Sequence, residues 1–315
     1  MAATVLTLLR VLYRKLFCLE EWNVGTITLP PGGVKELIGR DSLGDVTWRV
    51  GAWRTSFLAD PFIWTHPVSP RVLVEEFDYW SGRGRIASLP LEGFEHADAT
   101  RAELVLPQHA SYPHVFRSDD AWYCIPECAE SFAVDLYIWD AQSDVWRFDS
   151  RLLQGIPVYD PTPFAQNGVW YLFGTNADDG PQSRLRIWFS HSLRGPWQAH
   201  PLNPARIATD QVRSAGPIFC IEGCLYRPSQ DGRQGYGSGI ILNRIDCLSP
   251  SAYLETPVRE WHPQKHSIYG AGLHTISFTA TVAVIDGKRV RFSPWAALWK
   301  CWWKILKMGR RVANS

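Results

Sequence analysis

Ala59-Asp60-Pro61-Phe62-Ile63 returns in altered spelling as Ser111-Tyr112-Pro113-His114-Val115-Phe116, Tyr159-Asp160-Pro161-Thr162-Pro163-Phe164 and Ala215-Gly216-Pro217-Ile218-Phe219. A degenerate fifth copy reads Gly272-Leu273-His274-Thr275-Ile276. The matched prolines, Pro61, Pro113, Pro161 and Pro217, stand 52, 48 and 56 residues apart. A period of that length marks a repeat architecture, because one supersecondary unit cannot bury its apolar face without neighbours. Proline has no N–H to give to a ladder and so suits the first residue of a strand. The phrase therefore predicts the start of an inner strand, and five copies predict a five-bladed β-propeller whose strand starts ring one end of a central channel.

The flanking sequence carries the same plan. Blade one continues through Val72 to Phe77, a hairpin at Gly82-Arg83-Gly84 and a strand over Ile86 to Leu89. Blades two and three share second strands that begin Ala121-Trp122-Tyr123 and Val169-Trp170-Tyr171, and they close near Trp146 and Trp197. Blade four holds Cys224 to Asp231, a glycine-rich turn over Gly235 to Gly239, and Ile240 to Asn243. Blade five, Leu273 to Phe278 and Thr281 to Ile285 before a turn at Asp286-Gly287-Lys288, lacks strands of its own; Trp22 to Leu29 is the segment expected to complete it. Asp45 to Trp53 reads as a further strand leading into blade one.

Both ends differ from this body. Residues 3 to 18 contain no Gly or Pro and read as a short interfacial or docking helix, too short and too charged to span a bilayer. In the tail, Lys300, Lys304, Lys307 and Arg311 recur at helical steps among Trp295, Leu298, Trp299, Trp302, Trp303, Ile305 and Leu306. A basic stripe flanked by tryptophan suits the headgroup layer of an anionic membrane; a cap packed across the propeller is the competing reading. The expected organisation is an N-terminal helix over 1–20, an all-β five-bladed propeller over 21–291, and an amphipathic tail over 292–315.

Composition bounds the function. Net charge is +1, which excludes a bulk polyanion binder and argues against nucleic acid. The 16 Trp suit both propeller packing and sugar stacking. An odd seven Cys and an apolar start interrupted by Arg10, Arg14 and Lys15 point to a reducing, cytoplasmic setting at the membrane periphery. Cys124 and Cys128, like Cys220 and Cys224, are spaced CxxxC and read as strand neighbours rather than zinc ligands, so neither metal nor cofactor is expected. Walker, GxSxG and HExxH motifs are absent.

Sugar chemistry uses carboxylates that converge across a glycosidic bond. Asp60 and Asp160 occupy equivalent inner-strand starts, and Glu127 follows Ile125-Pro126 at a strand end; these three are the catalytic candidates. Glu76 enters the substrate-binding set, although strand alternation alone does not choose between it and Glu75. Arg227, Gln230 and Asp231 offer a cation, an amide and a carboxylate within five residues, with an Arg227–Asp231 ion pair as the structural alternative. His114, Tyr236 and His274 complete the set as hydrogen-bonding or stacking groups.

At these residues the chain resembles two groups. The Asp60-Pro61 and Asp160-Pro161 starts resemble the five-bladed propellers of glycoside hydrolase families 43, 32 and 62. Ser111 to Phe116, Pro126-Glu127, Asp160-Pro161-Thr162, Ala215-Gly216-Pro217 and Arg227 to Asp231 followed by Tyr236-Gly237 are similar to the N-terminal domain of plant glucosamine inositolphosphorylceramide transferases and bacterial relatives, over about residues 45 to 285. This second resemblance implies a carbohydrate-active or carbohydrate-binding propeller linked to glycolipid or surface polysaccharide synthesis. In the plant enzymes, sugar transfer is attributed to a separate C-terminal domain. The family 43 resemblance implies Asp60 as base and Asp160 as the carboxylate tuning an acid, which in that family precedes the fourth-blade Gly-Pro; Ala215 stands there.

Three functions follow as expectations. The first is glycosyl transfer from a nucleotide-activated or lipid-linked sugar at a membrane surface, with Asp60 as base. The second is a glycoside hydrolase with Glu127 as displaced acid. The third is a non-catalytic glycan-binding propeller serving a partner glycosyltransferase.

Overall fold

The computed structural model describes residues 12–51, 55–97, 99–180 and 182–313, with side chains described as far as residue 305. Five antiparallel sheets follow the repeat. Blade one comprises Ser56–Trp64, Arg71–Asp78, Arg83–Pro90 and Arg101–Leu104; blade two comprises Ser111–Ser118, Ala121–Glu127, Ala133–Asp140 and Val145–Gln154. Blade three is built on Val158–Gln166, Val169–Asn176 and Arg184–Ser190, blade four on Phe219–Ile221, Cys224–Gln230, Ile240–Leu248 and Tyr253–Trp261.

Blade five is where the chain closes on itself. Its inner strands are Ile276–Phe278 and Val282–Phe292, its third is Cys18–Thr28 and its outer piece is Thr47–Trp48. The N-terminal strand pairs along its full length, from Cys18 opposite Phe292 to Thr28 opposite Val282. The expected closure by Trp22 to Leu29 thus begins at Cys18, inside the segment read as helical. Of that segment, residues 12–17 are helical and residues 3–11 lie outside the described residues. Two further readings change. Asp286-Gly287-Lys288 is no turn but the middle of a ladder opposite Val24, Asn23 and Trp22, and Thr47–Trp48 pairs with Gly25 and Thr26 of blade five rather than leading into blade one.

The core is divided among the blade interfaces. Phe62, Trp64 and Leu73 of blade one meet Tyr112, Trp139 and Trp146 of blade two, where Trp64 lies 4.7 Å from Trp139 and 5.0 Å from Trp146, centroid to centroid. Comparable clusters join blades two and three, three and four, four and five, and five and one. Each blade buries its faces largely against its two neighbours, and the N-terminal strand closes the ring.

The C-terminal helix Ala296–Ala313 docks on blade one. Trp299 and Trp303 stack on Tyr79 at 5.3 and 5.9 Å, Trp302 Nε1 donates to Trp80 O at 3.0 Å, and Lys300 Nζ donates to the carbonyls of Lys15 and Cys18. The helix is therefore partly the cap of the competing reading. Lys300 faces the protein, whereas Trp295, Leu298, Trp302 and Ile305 are exposed. Among the described residues no helix is long and apolar enough to cross a membrane.

Candidate functional site

The repeated phrase has a local geometry that sequence patterning does not show. Asp60, Tyr112 and Asp160 have φ of 51°, 43° and 48°, and Gly216 has φ of 142°. In blades one, two and three the inner ladder skips a step at the same place, between Ala59 and Phe62, Ser111 and His114, and Tyr159 and Thr162. Each residue before the proline is thus the apex of a bulge in the left-handed region, where a side chain costs on the order of 1–3 kcal/mol. Glycine carries no such cost in blade four, and a Cβ on Gly216 would lie 1.9 Å from the carbonyl oxygen of Ile276. Bulges re-aim side chains, and here they gather them at the channel.

Two linked clusters result. In the first, Asp60 Oδ1 accepts from Thr275 Oγ1 at 2.8 Å and lies 3.2 Å from His274 Nε2, while Asp60 Oδ2 accepts from the Tyr112 N–H at 3.2 Å. His274 Nδ1 lies 2.7 Å from Asp286 Oδ2. Asp286 also accepts the backbone N–H groups of Asp60, His274 and Thr275. Burial raises Asp60 to about 6, with the His274 charge opposing and the Asp160 and Asp286 carboxylates reinforcing the rise. Burial disfavours the His274 imidazolium, but Asp286 and Asp60 outweigh it and raise its pKa. Atoms of Asp60, His274 and Asp286 lie within 4.8 Å of one another, close enough to share a cation; in this structure they hold each other.

In the second cluster, Asp160 Oδ2 accepts from Arg213 Nε at 2.5 Å and from Gln230 Nε2 at 3.0 Å. Glu127 Oε2 accepts the Asp160 N–H at 3.3 Å and lies 3.5 Å from Arg213 Nη2. Burial and the Asp160 carboxylate raise Glu127 well above the usual carboxylate range, against the pull of Arg213. Glu75 is raised likewise by burial, with Asp60 and Asp286 adding to it. Tyr112 ties the blades together: its hydroxyl accepts the Gly216 N–H at 2.9 Å and lies 3.1 Å from Thr162 Oγ1.

The mouth is aromatic. Arg213 lies over the rings of Tyr159 and Tyr236 at 5.0 and 5.3 Å. Trp22 packs against His274 at 4.2 Å and meets Tyr236 edge-on at 5.9 Å, and Lys288 Nζ stands 5.2 Å from the Trp22 ring. A Cβ on Gly237, at φ 73°, would lie 2.6 Å from Trp22, so this glycine lets the turn bearing Tyr236 close onto the tryptophan.

The structure brings Asp60, Asp160, Glu127, Gln230, His274 and Tyr236 together; four other candidates sit elsewhere. Arg227 is buried at the interface of blades three and four, where its Nε and Nη2 are taken by Glu255 at 2.9 and 2.7 Å and by the Gln211 carbonyl. Asp231 is neither its partner nor in the channel: burial opposes ionisation, but Arg233 holds the Asp231 carboxyl below its usual range. Glu76 points outward to Arg85 and Thr100, and Glu75 is the glutamate whose carboxylate feels the channel. His114 packs 5.1 Å from Phe62, where burial lowers its pKa to about 3 and keeps it neutral. Arg213, Asp286, Thr275 and Trp22 are site residues that sequence reasoning missed, and Glu75 is the member of the Glu75/Glu76 pair that it left unchosen.

The fold and site define a five-bladed β-propeller with buried carboxylates and an aromatic rim gathered at one end of its channel. Residues 47–287 match the family described as glucosamine inositolphosphorylceramide transferase 1, N-terminal, and the chain belongs to that family. Glucosamine inositolphosphorylceramide transferase 1 of Oryza sativa subsp. japonica is 28% identical over 282 residues, covering 81% of this chain and 38% of that protein. Its Arabidopsis thaliana counterpart is 27% identical over 251 residues, covering 75% and 33%. The chain thus spans under two-fifths of these relatives' length. Among solved structures, a family 43 β-1,3-galactosidase superposes with a TM-score of 0.52 at 11% identity, over 68% of this chain and 50% of that one, a likeness of fold.

Proposed function

We propose that this chain is a sugar-transferring propeller of glycolipid or surface polysaccharide assembly, working as a peripheral protein on the cytoplasmic face of an anionic membrane. Asp60 takes the proton from an acceptor hydroxyl. The acceptor oxygen bonds to the anomeric carbon as the bond from that carbon to a donor phosphate breaks, and the phosphate leaves with the electron pair. The carrying observation is convergence: Asp60 and Glu75 from blade one, Glu127 from blade two, Asp160 from blade three, Gln230 from blade four and His274 from blade five stand around one channel mouth with Arg213.

An activated donor suits the site because a phosphate leaves without being protonated. Ala215, fully buried where the family 43 resemblance would place the acid, removes that help from hydrolysis. A base near pKa 6 is largely ionised at neutral pH and still takes up a proton. Tyr236, exposed at the rim, offers an aromatic ring to a sugar. Seven free cysteines accord with a reducing compartment. Supplying the full chain with a panel of nucleotide-activated sugars and an inositol-phosphate lipid acceptor tests the reading: sugar appears on the lipid, and not when Asp60 is replaced by Asn.

Two observations keep the other readings specific. Glu127 is buried and its raised pKa favours the protonated form, as a displaced acid requires; hydrolysis of a glycan panel that is lost in Glu127→Gln would favour the hydrolase. The matched family is described as the N-terminal part of its transferase, which fits a propeller that positions glycan for a separate transferase unit; glycan binding without turnover would favour that role.

A further inference from the structure

A second cavity lies beside the channel, between the terminal helices and the edge of blades five and one. It measures about 460 Å³, within the ~300–1,000 Å³ common for small-molecule sites. Its walls are apolar: Leu19 and Val290 from blade five, Phe57 and Phe77 stacked at 4.8 Å on blade one, and Tyr79 stacked on Trp303. Its rim is basic. Arg14, Lys15 and Lys300 line it against one carboxylate, Glu20, whose Oε1 lies 3.6 Å from Lys288 Nζ. Arg14 and Lys15 are exposed.

Three relationships identify the occupant. Apolar walls under a basic rim match an amphiphile with a hydrocarbon chain and an anionic head. Leu298, Trp302 and Ile305, exposed on the helix that forms one wall, give that helix a second apolar face towards the surroundings. Trp22 is shared: it lines this cavity and its ring also packs 4.2 Å from His274, itself 3.2 Å from Asp60. A molecule seated here is therefore one side chain away from the carboxylate cluster.

We propose that this cleft binds the hydrocarbon chain of a phosphate-headed lipid, with Arg14 and Lys15 meeting the phosphate. The inference rests on the glycolipid reading above for its biological meaning, but not for its chemistry. It locates the lipid of that reaction on the face of the propeller that carries the terminal helices, so that the lipid head reaches the channel mouth past Trp22.

Calorimetric titration of the full chain with decyl phosphate, decyl maltoside and inorganic phosphate tests it. Decyl phosphate is expected to bind at one per chain, at least tenfold more weakly in Val290→Trp, which fills the cleft, and at least fivefold more weakly in an Arg14→Gln, Lys15→Gln double variant. The double variant should leave decyl maltoside unchanged, and inorganic phosphate should not bind. Should Val290→Trp fail to fold, a diazirine-bearing decyl phosphate on the unaltered protein decides the matter, since its label must fall on Leu19, Val290 or Trp303. Undiminished binding by folded Val290→Trp, equal binding of inorganic phosphate, or labelling elsewhere overturns the cleft. Decyl phosphate binding without any glycosyl transfer would sink the proposed reaction and leave the cleft standing; transfer to a water-soluble acceptor without decyl phosphate binding would do the reverse.

Discussion

Arg213 Nε donates to Asp160 Oδ2 at 2.5 Å, and the same guanidinium reaches Glu127 from Nη2 at 3.5 Å. One cation thus sits between two carboxylates from neighbouring blades. Both acids are buried, and the three side chains expose little surface between them. Removing the cation leaves two acids confined together. Breaking a buried pair from one side costs about 3–5 kcal/mol, so Arg213→Ala should lower thermal stability by that amount and abolish sugar binding. Arg213→Lys keeps the charge but loses the fork, and in a melting experiment it should recover part of the stability and little of the binding.

Tyr112 carries a second prediction. Its hydroxyl is the acceptor for the buried Gly216 N–H. Tyr112→Phe leaves that donor unpaired, a loss of about 1–3 kcal/mol. Urea unfolding should show a lower midpoint with the slope unchanged. An unaltered midpoint would mean that the blade two to blade four tie contributes nothing.

The blades were legible because the phrase repeats and each blade buries the same kind of surface. Asp60 and Asp160 were legible for the same reason, as variable residues in a constant frame. Glu127, Gln230, Tyr236 and His274 were also named from the sequence; the remaining residues of the site were not, for identifiable causes. Strand alternation could not choose Glu75 over Glu76, since nothing in one strand's sequence says which side faces the channel. Asp286 hid in an Asp-Gly pair that reads as a hairpin, whereas the strand runs straight through it under the N-terminal strand. Arg213 lies between blades three and four, outside every repeated element. Arg227 misled because a cation three residues from Gln230 looks available, and its partner Glu255 is 28 residues away on the outer strand of the blade.

The C-terminal helix yields a prediction about membranes. Its apolar residues divide, with Trp299 and Trp303 stacked on Tyr79 and Trp295, Leu298, Trp302 and Ile305 exposed. Replacing Leu298 and Ile305 by Ser should weaken binding to phosphatidylserine-containing vesicles by tenfold or more in flotation while the melting temperature stays within a few degrees. Unchanged flotation would assign the helix to capping alone.

pH should separate stability from activity. Asp60 has a folded pKa of about 6, above its unfolded value of about 3.9. The folded state therefore holds a proton that the unfolded state releases, so this group's contribution to stability falls as pH rises from about 4 to about 6. Glu75 and Glu127, also raised, act in the same sense. His114, lowered to about 3, opposes them below its ordinary value because the buried ring stays neutral. A base works only when ionised, so turnover should rise over the interval near pH 6 in which Asp60 loses its proton. Melting temperature and rate measured together across pH 5 to 8 check the opposed trends.

The account turns on Asp60, which joins the His274–Asp286 cluster to the bulge at the start of blade one. Glycosyl transfer by Asp60→Asn at pH 7.5, measured beside its far-ultraviolet circular dichroism, tests it most directly. The predicted result is a native spectrum with transfer reduced by about 10²–10⁴-fold, the range for loss of a general base. A folded Asp60→Asn protein that transfers sugar at the unaltered rate would contradict it.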